Sequence, residues 1–155
     1  MKKEKGFSLI ELLIVVAIIL IIAAIAIPNL LKSKMAANES SAVGSIRTVN
    51  TGLVTYAAGC PNVGFAATLV ELNTGGICAS GTGIIDAVLA GGTKSGYLFP
   101  YAPGAAVGGV VNTYTVNANP ATPGTTGQRR FFSDQSGVIR YNQAAAATVA
   151  DAPLQ

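Results

Sequence analysis

An apolar run close to the N-terminus limits what this chain can fold into. Residues 7–27 contain one charged side chain, Glu11, and are otherwise almost entirely Leu, Ile, Val, Ala and Phe. A helix of about 20 apolar residues is long enough to cross the hydrocarbon layer of a bilayer. A carboxylate at that depth is costly, so Glu11 is a candidate functional residue.

A short basic leader, residues 1–6, precedes the apolar run. Its lysines favour the cytoplasmic side of a membrane. A secretory signal peptide would be cleaved after its apolar core, but this run is too long for such a core and continues into a helical pattern. The leader contributes three lysines and one glutamate, a net +2, so residues 7–155 retain +1 of the formal +3. We therefore expect no direct nucleic-acid partner.

The residues around the leader junction form the motif Gly6-Phe7-Ser8-Leu9-Ile10-Glu11. This motif resembles the N-terminal cleavage and methylation motif of type IV pilins and of type II secretion pseudopilins. The resemblance implies that a prepilin peptidase cleaves between Gly6 and Phe7 and then N-methylates Phe7. It also implies that Glu11 pairs with the Phe7 amine of a neighbouring copy, because a buried carboxylate is stable only beside an opposite charge. The Ser8-x-x-Glu11 spacing matches a capping box as well, and the two roles can coexist.

One long helix is predicted from Phe7 to Ala57 or Ala58. Its first half, residues 7–31, is apolar on all sides, as in a membrane span or a filament core. Its second half, residues 32–58, carries a single apolar stripe at helical spacing. The stripe consists of Met35, Ala42, Ile46, Val49, Leu53 and Tyr56.

Pro28 lies near the junction of the two halves. It cannot donate a backbone hydrogen bond, so a kink or local opening is predicted there. The resemblance implies that this stretch unwinds when copies pack into a filament. Many family members carry a glycine where Leu20 stands here, so we expect any unwinding to be confined near Ala24 to Pro28.

The rest of the chain is predicted to form a small head. Residues 59–96 are a connector in which Thr68-x-x-Glu71 predicts one short helix, 69–72, and residues 84–90 a second. Alternating apolar residues and turn signals in residues 97–142 predict an antiparallel sheet of three to four strands. The tail, residues 143–155, is expected to be frayed or loosely docked. With the long helix, this layout is similar to the α+β pilin fold.

Two cysteines, Cys60 and Cys78, lie in the connector. In an exported, Gly-rich segment they are expected to form a disulfide. Metal binding is the rival interpretation, but the chain has no histidine and no Cys-x-x-Cys pair. We therefore expect no metal and no cofactor. Asp134 alone cannot supply the six to eight oxygens that calcium requires.

The composition also argues against an enzyme. A chain without histidine lacks the usual general base, and no nucleophile or phosphate-loop motif is present. The resemblance implies a structural subunit that forms a filament with copies of itself, with a prepilin peptidase and an inner-membrane assembly platform as partners. The precursor would span the inner membrane and the filament would be an extracellular pilus. The alternative function is that of a type II secretion pseudopilin.

Overall fold

The computed structural model describes residues 6–78 and 83–154. Met1 to Lys5 of the predicted leader lie outside the described residues. The contacts divide the chain into an N-terminal unit, Met1–Lys34, and a compact unit, Met35–Gln155, which we call the head. The fold is α+β, with one long N-terminal helix and antiparallel sheets, which is the predicted fold class.

Helix α1 extends over Leu9–Gly59 and contains Pro28 without a break in its helical assignment. In the N-terminal unit its large apolar side chains are exposed, from 44% for Val16 to 86% for Phe7 just before the helix. Within the described residues, α1 is the helix that is long and apolar enough to cross a membrane. By length and composition, this part of the chain suits an apolar environment.

The head has its own hydrophobic core, built on the predicted stripe of α1. Ala42, Ile46, Val49, Leu53 and Tyr56 are fully buried, and Met35 is half-buried. They pack with apolar side chains from the sheet and from the connector. The strand residues of this core are Tyr97, Tyr114, Val116, Ala118 and Phe131. The stripe therefore faces the sheet, as its spacing predicts.

The main sheet is antiparallel and has six strands. The strands are β1 (Thr93–Lys94), β2 (Tyr97–Leu98), β3 (Tyr101–Pro103), β6 (Tyr114–Pro120), β7 (Arg130–Asp134) and β8 (Arg140–Asn142). Their order is β1-β2-β6-β7-β8, and β3 also pairs with β6. A separate two-stranded sheet joins β4 (Ala106–Val107) to β5 (Val110–Val111).

The predicted number of strands, three to four, was too low. The sheet begins at Thr93, before the predicted range. The prediction missed β1 because a two-residue strand is too short to show alternation. The start of the predicted sheet, residues 97–103, forms two strands, β2 and β3, because Pro100 has no N–H to donate to a ladder. The β4–β5 hairpin was missed because its Ala, Gly and Val residues show no alternation of polarity.

The connector helices differ from their predicted bounds: the first has the predicted four residues but begins two residues later, and the second is shorter. Helix α2 covers Glu71–Thr74, and the expected capping box at Thr68 does not form, because the Glu71 carboxylate accepts from the Ala67 N–H at 2.9 Å instead. Helix α3 covers Ala87–Ala90 rather than beginning at Ile84. Asp86 stands before it with extended backbone, and its carboxylate accepts from the Leu89 N–H at 2.9 Å. An N-cap of this kind sets the helix start.

The C-terminal tail docks on β8, whereas its composition predicts fraying. The Tyr141 N–H donates to the Ala152 carbonyl at 3.2 Å, and the Leu154 N–H donates to the Ile139 carbonyl at 2.7 Å. Ala147 is buried. Asp151 closes a turn in the tail through the Thr148 N–H at 2.7 Å. Backbone pairing of this kind leaves no signal in the composition of a short segment.

Candidate functional site: the N-terminal segment

The candidate site begins where α1 begins. Gly6, Phe7 and Ser8 precede the helix, and Phe7 is 86% exposed. The Ser8 N–H donates to Oε2 of Glu11 at 2.8 Å, which is one of the two bonds of a capping box. The position of Glu11 in the first helical turn also places a negative charge at the positive end of the helix dipole.

The Glu11 carboxylate keeps unused hydrogen-bonding capacity. An ionised carboxylate offers about four lone-pair sites, and in the described part of the chain Glu11 accepts one hydrogen bond. Within residues 6–34, Glu11 is the one acidic residue, and Lys32 and Lys34 are the basic ones. The two lysines lie about six helical turns after Glu11. The segment therefore has an anionic group that its own described residues do not neutralise.

Pro28 lies in a polar patch of the helix. The Asn29 side-chain amide donates to the Ile25 carbonyl at 3.1 Å, and the Ser33 hydroxyl donates to the Asn29 carbonyl at 3.0 Å. Pro28 has no N–H, so it cannot donate the helical hydrogen bond to the carbonyl of Ala24, four residues before it. The helix is continuous here, and unwinding near Pro28 stays a prediction.

Cys60 and Cys78 form the predicted disulfide, with their Cα atoms 6.1 Å apart. The bond joins the end of α1 to the segment after α2. Cys78 is buried in the core of the head. The disulfide therefore fixes the connector to the helix.

Two polar contacts of the head were missed by the sequence reasoning. Glu39 is buried, and its carboxylate accepts from the Gln128 N–H at 2.8 Å, the Arg129 N–H at 3.1 Å and Nε of Arg129 at 2.7 Å. The Arg129 guanidinium also lies 5.6 Å from the ring centroid of Phe131. Arg129 is therefore an internal partner of α1.

The electrostatics of Glu39 favour its charged form. Burial alone would raise the pKa of this carboxyl group. The N–H groups of Gln128 and Arg129 and the adjacent guanidinium together outweigh burial and hold the pKa below its ordinary value of 4.5.

The second missed contact is a buried polar chain between α1 and the sheet. Nδ2 of Asn50 donates to the Ser133 hydroxyl at 2.8 Å, and the Tyr114 hydroxyl donates to Oδ1 of Asn50 at 3.1 Å. Ser133 in turn donates to the Val138 carbonyl at 3.1 Å. Glu39 and Asn50 both lie four residues after a stripe residue, so their spacing was a signal that could have identified them.

The described residues contain no group of three or more His, Cys, Asp or Glu side chains that could hold a metal ion. At Glu39 and Asn50, polar groups of the head instead bond to one another. In the N-terminal segment, the Glu11 carboxylate keeps unused hydrogen-bonding capacity.

Comparisons with known proteins identify the same segment. Residues 1–27 match the family model of the prokaryotic N-terminal methylation motif. The type IV wide pilus major component PilA4 of Thermus thermophilus is 60% identical over 40 residues, 26% of this chain and 30% of that protein. The type IV major pilin protein PilA of Myxococcus xanthus is 49% identical over 49 residues, 32% of this chain and 22% of that protein.

A second kind of relative is also present. The type II secretion system core protein G of Vibrio cholerae is 39% identical over 56 residues, 36% of this chain and 38% of that protein. The chain thus spans less than two-fifths of the length of each of these relatives. No solved structure matches the chain significantly. The motif and these relatives show that the N-terminal segment of the chain is similar to that of type IV pilins and type II secretion pseudopilins.

Proposed function

We propose that this protein is a structural subunit of a type IV pilus. The observation that carries the proposal is the Glu11 carboxylate, set in an exposed apolar helix with one hydrogen-bond donor, the Ser8 N–H, in the described part of the chain. Two relatives are named as major pilins, which supports the same role.

Cleavage between Gly6 and Phe7 supplies the missing partner. The bond lies before the helix, in the coil that precedes α1. Its hydrolysis by a prepilin peptidase gives Phe7 a cationic amine, and N-methylation leaves that charge in place. The amine of one copy then neutralises Glu11 of the next, so that pairing is favourable where apolar surroundings make an unpaired charge costly.

Apolar contacts would supply most of the energy of assembly. The exposed Leu, Ile and Val side chains between Phe7 and Leu31 suit either lipid or copies of the same helix. The precursor would wait in the inner membrane with the head outside the cytoplasm, and an assembly platform would move it into the filament. The charge pair would then set the axial register between copies.

The test compares Glu11→Gln with Ser8→Ala in a cell that makes the fibres. Glutamine cannot neutralise the Phe7 amine, so we expect surface fibres to disappear while processed monomer accumulates in the membrane. Ser8→Ala keeps the backbone N–H that contacts Glu11 and is expected to keep the fibres. Mass spectrometry of the mature chain should show a start at methylated Phe7. Normal fibres from E11Q would contradict the proposal.

The second candidate is a type II secretion pseudopilin. The match to core protein G covers 56 residues, more than the 40 matched in PilA4, which favours keeping this candidate. Deletion of the gene distinguishes the two functions. Loss of surface fibres with normal protein export supports the pilus, and loss of export without loss of fibres supports the secretion system.

A further inference from the structure

A β-hairpin of the head presents an unpaired strand edge. Strand β4 pairs with β5 in the register Ala106↔Val111 and Val107↔Val110. The two residues of the turn, Gly108 and Gly109, have φ values of 61° and 87°. A two-residue hairpin turn requires this left-handed backbone, and glycine adopts it without strain.

The register determines which backbone groups point outward. The pair next to a two-residue turn, Val107 and Val110, exchanges both hydrogen bonds, so the following pair turns its N–H and C=O groups away from each other. On the β5 side, the Val111 N–H donates to the Val63 carbonyl at 2.9 Å and the Phe65 N–H donates to the Val111 carbonyl at 2.8 Å. One edge of the hairpin is therefore occupied.

The opposite edge has no such neighbour. By the same geometry the Ala106 N–H and C=O face outward from β4, and nowhere in residues 6–78 or 83–154 does a strand pair with them. Val107 beside them is 73% exposed. A Cβ added at Gly108 or Gly109 would meet nothing within 4 Å in the described part of the chain, so the turn projects into open space.

The chain on both sides of this edge is uncharged. None of residues 95–128 is Asp, Glu, Lys or Arg. Soluble proteins usually protect an exposed strand edge with a charged side chain or a proline, and neither stands at Ala106 or Val107. The centres of protein interfaces are depleted in charge, and two identical uncharged edges can approach without repulsion.

We propose that the β4 edges of two copies pair with each other, antiparallel, and so join two filaments side by side. This inference rests on the proposed pilus function. Contact between identical edges is isologous, since each edge meets its own copy, and such a contact closes on itself. It cannot repeat along one filament, which requires different surfaces to meet, so it links copies that belong to different filaments.

The size of the contact explains why it would operate between filaments. A strand of two residues offers few hydrogen bonds, so one pair of free copies associates weakly. A filament presents the same edge many times, and many weak contacts act together as avidity. We therefore expect the detergent-solubilised full chain to stay monomeric while intact fibres bundle.

The test uses sheared fibres of three variants. Ala106→Pro removes the outward N–H without adding charge, and Val107→Lys adds a charge at the edge. Val88→Lys is the matched control, because Val88 is 62% exposed and lies in α3. We expect the fraction of fibre mass that pellets at low speed to fall by about tenfold or more in A106P and V107K, and to be unchanged in V88K. Electron microscopy should show the edge variants as single fibres.

Three results would overturn the inference: wild-type fibres that never bundle, edge variants that bundle as the wild type does, or a V88K variant that loses bundling as fully as V107K. In each of these results the fibres still form, so the proposal that the protein is a pilus subunit would stand. Absence of any fibre made of this polypeptide would overturn both.

Discussion

The interaction of Glu39 with Arg129 gives the sharpest prediction for the stability of the head. In Glu39→Gln an amide replaces a carboxylate that accepts three hydrogen bonds, at 2.7 to 3.1 Å. One amide oxygen remains as an acceptor, while the new NH2 group faces donors. Each hydrogen bond to a charged group contributes about 1.5–3 kcal/mol, and loss of one partner leaves Arg129 without its counter-ion. We expect E39Q to lower the free energy of unfolding by about 2–4 kcal/mol.

The measurement is urea unfolding of the full chain in detergent at pH 7, followed by the near-UV circular dichroism of tyrosine, since the chain has no tryptophan. The control is Lys94→Gln, which removes an ion pair to Asp86 at 2.8 Å whose side chains are 35% and 47% exposed. An exposed pair of this kind is worth less than about 1 kcal/mol. An E39Q variant that is no less stable than K94Q would refute the reasoning.

The pH dependence provides an independent check. Because the pKa of Glu39 is held below 4.5 in the folded chain, its charge contributes stability above that pH, and the contribution is lost as the pH falls through the folded value. The difference in the free energy of unfolding between wild type and E39Q should therefore have its largest value at pH 7 and decrease below about pH 4.5. A difference that stays constant down to pH 3 would show that the loss comes from packing rather than from charge.

Three further predictions use the same unfolding assay or a simple titration. Asn50→Leu leaves the Tyr114 hydroxyl without its acceptor and should cost about 2–3 kcal/mol; an unchanged urea midpoint would contradict this. Replacing Cys60 and Cys78 together by Ala should cost about 3 kcal/mol and remove any effect of reductant on stability; a midpoint that still depends on reductant would argue against it. Burial raises the pKa of both Tyr97 and Tyr114 to about 12, so stability should fall as the pH rises from 10 to 12; alkaline titration that ionises every tyrosine near pH 10 in the folded chain would contradict it.

Features that depend on local pattern were predicted well. The apolar stripe of α1 follows from helical spacing alone, and the structure buries Ala42, Ile46, Val49, Leu53 and Tyr56 as that spacing requires. The turn signals in residues 97–142 include Asp134 to Gly137, where the Gly137 N–H donates to the Asp134 carbonyl at 2.9 Å. The cysteine pair follows from the oxidising surroundings that the sequence analysis expects for the connector.

Features that depend on distant partners were not predictable in this way. The backbone N–H groups of Gln128 and Arg129 that bond to Glu39 lie 89 and 90 residues after it in the sequence. The sequence near Glu39 gives no sign of these partners. The capping box at Thr68 failed because another donor, the Ala67 N–H, competes for the same carboxylate. The tail docks through main-chain pairing that any sequence without proline at those N–H groups could make.

The distribution of acidic groups supports placing the assembly contact at Glu11. The described carboxylates of the head each accept two or more hydrogen bonds inside it; they are Glu39, Glu71, Asp86, Asp134 and Asp151. Glu11 accepts one, in a segment whose side chains suit an apolar medium. Because a carboxylate in such a medium gains most from an added cation, the group with the fewest partners is the one that association would satisfy. Conversely, a cation brought to the head would meet carboxylates that already have two or more donors, so it would gain less there, and the uncharged β4 edge is the better interface of the head.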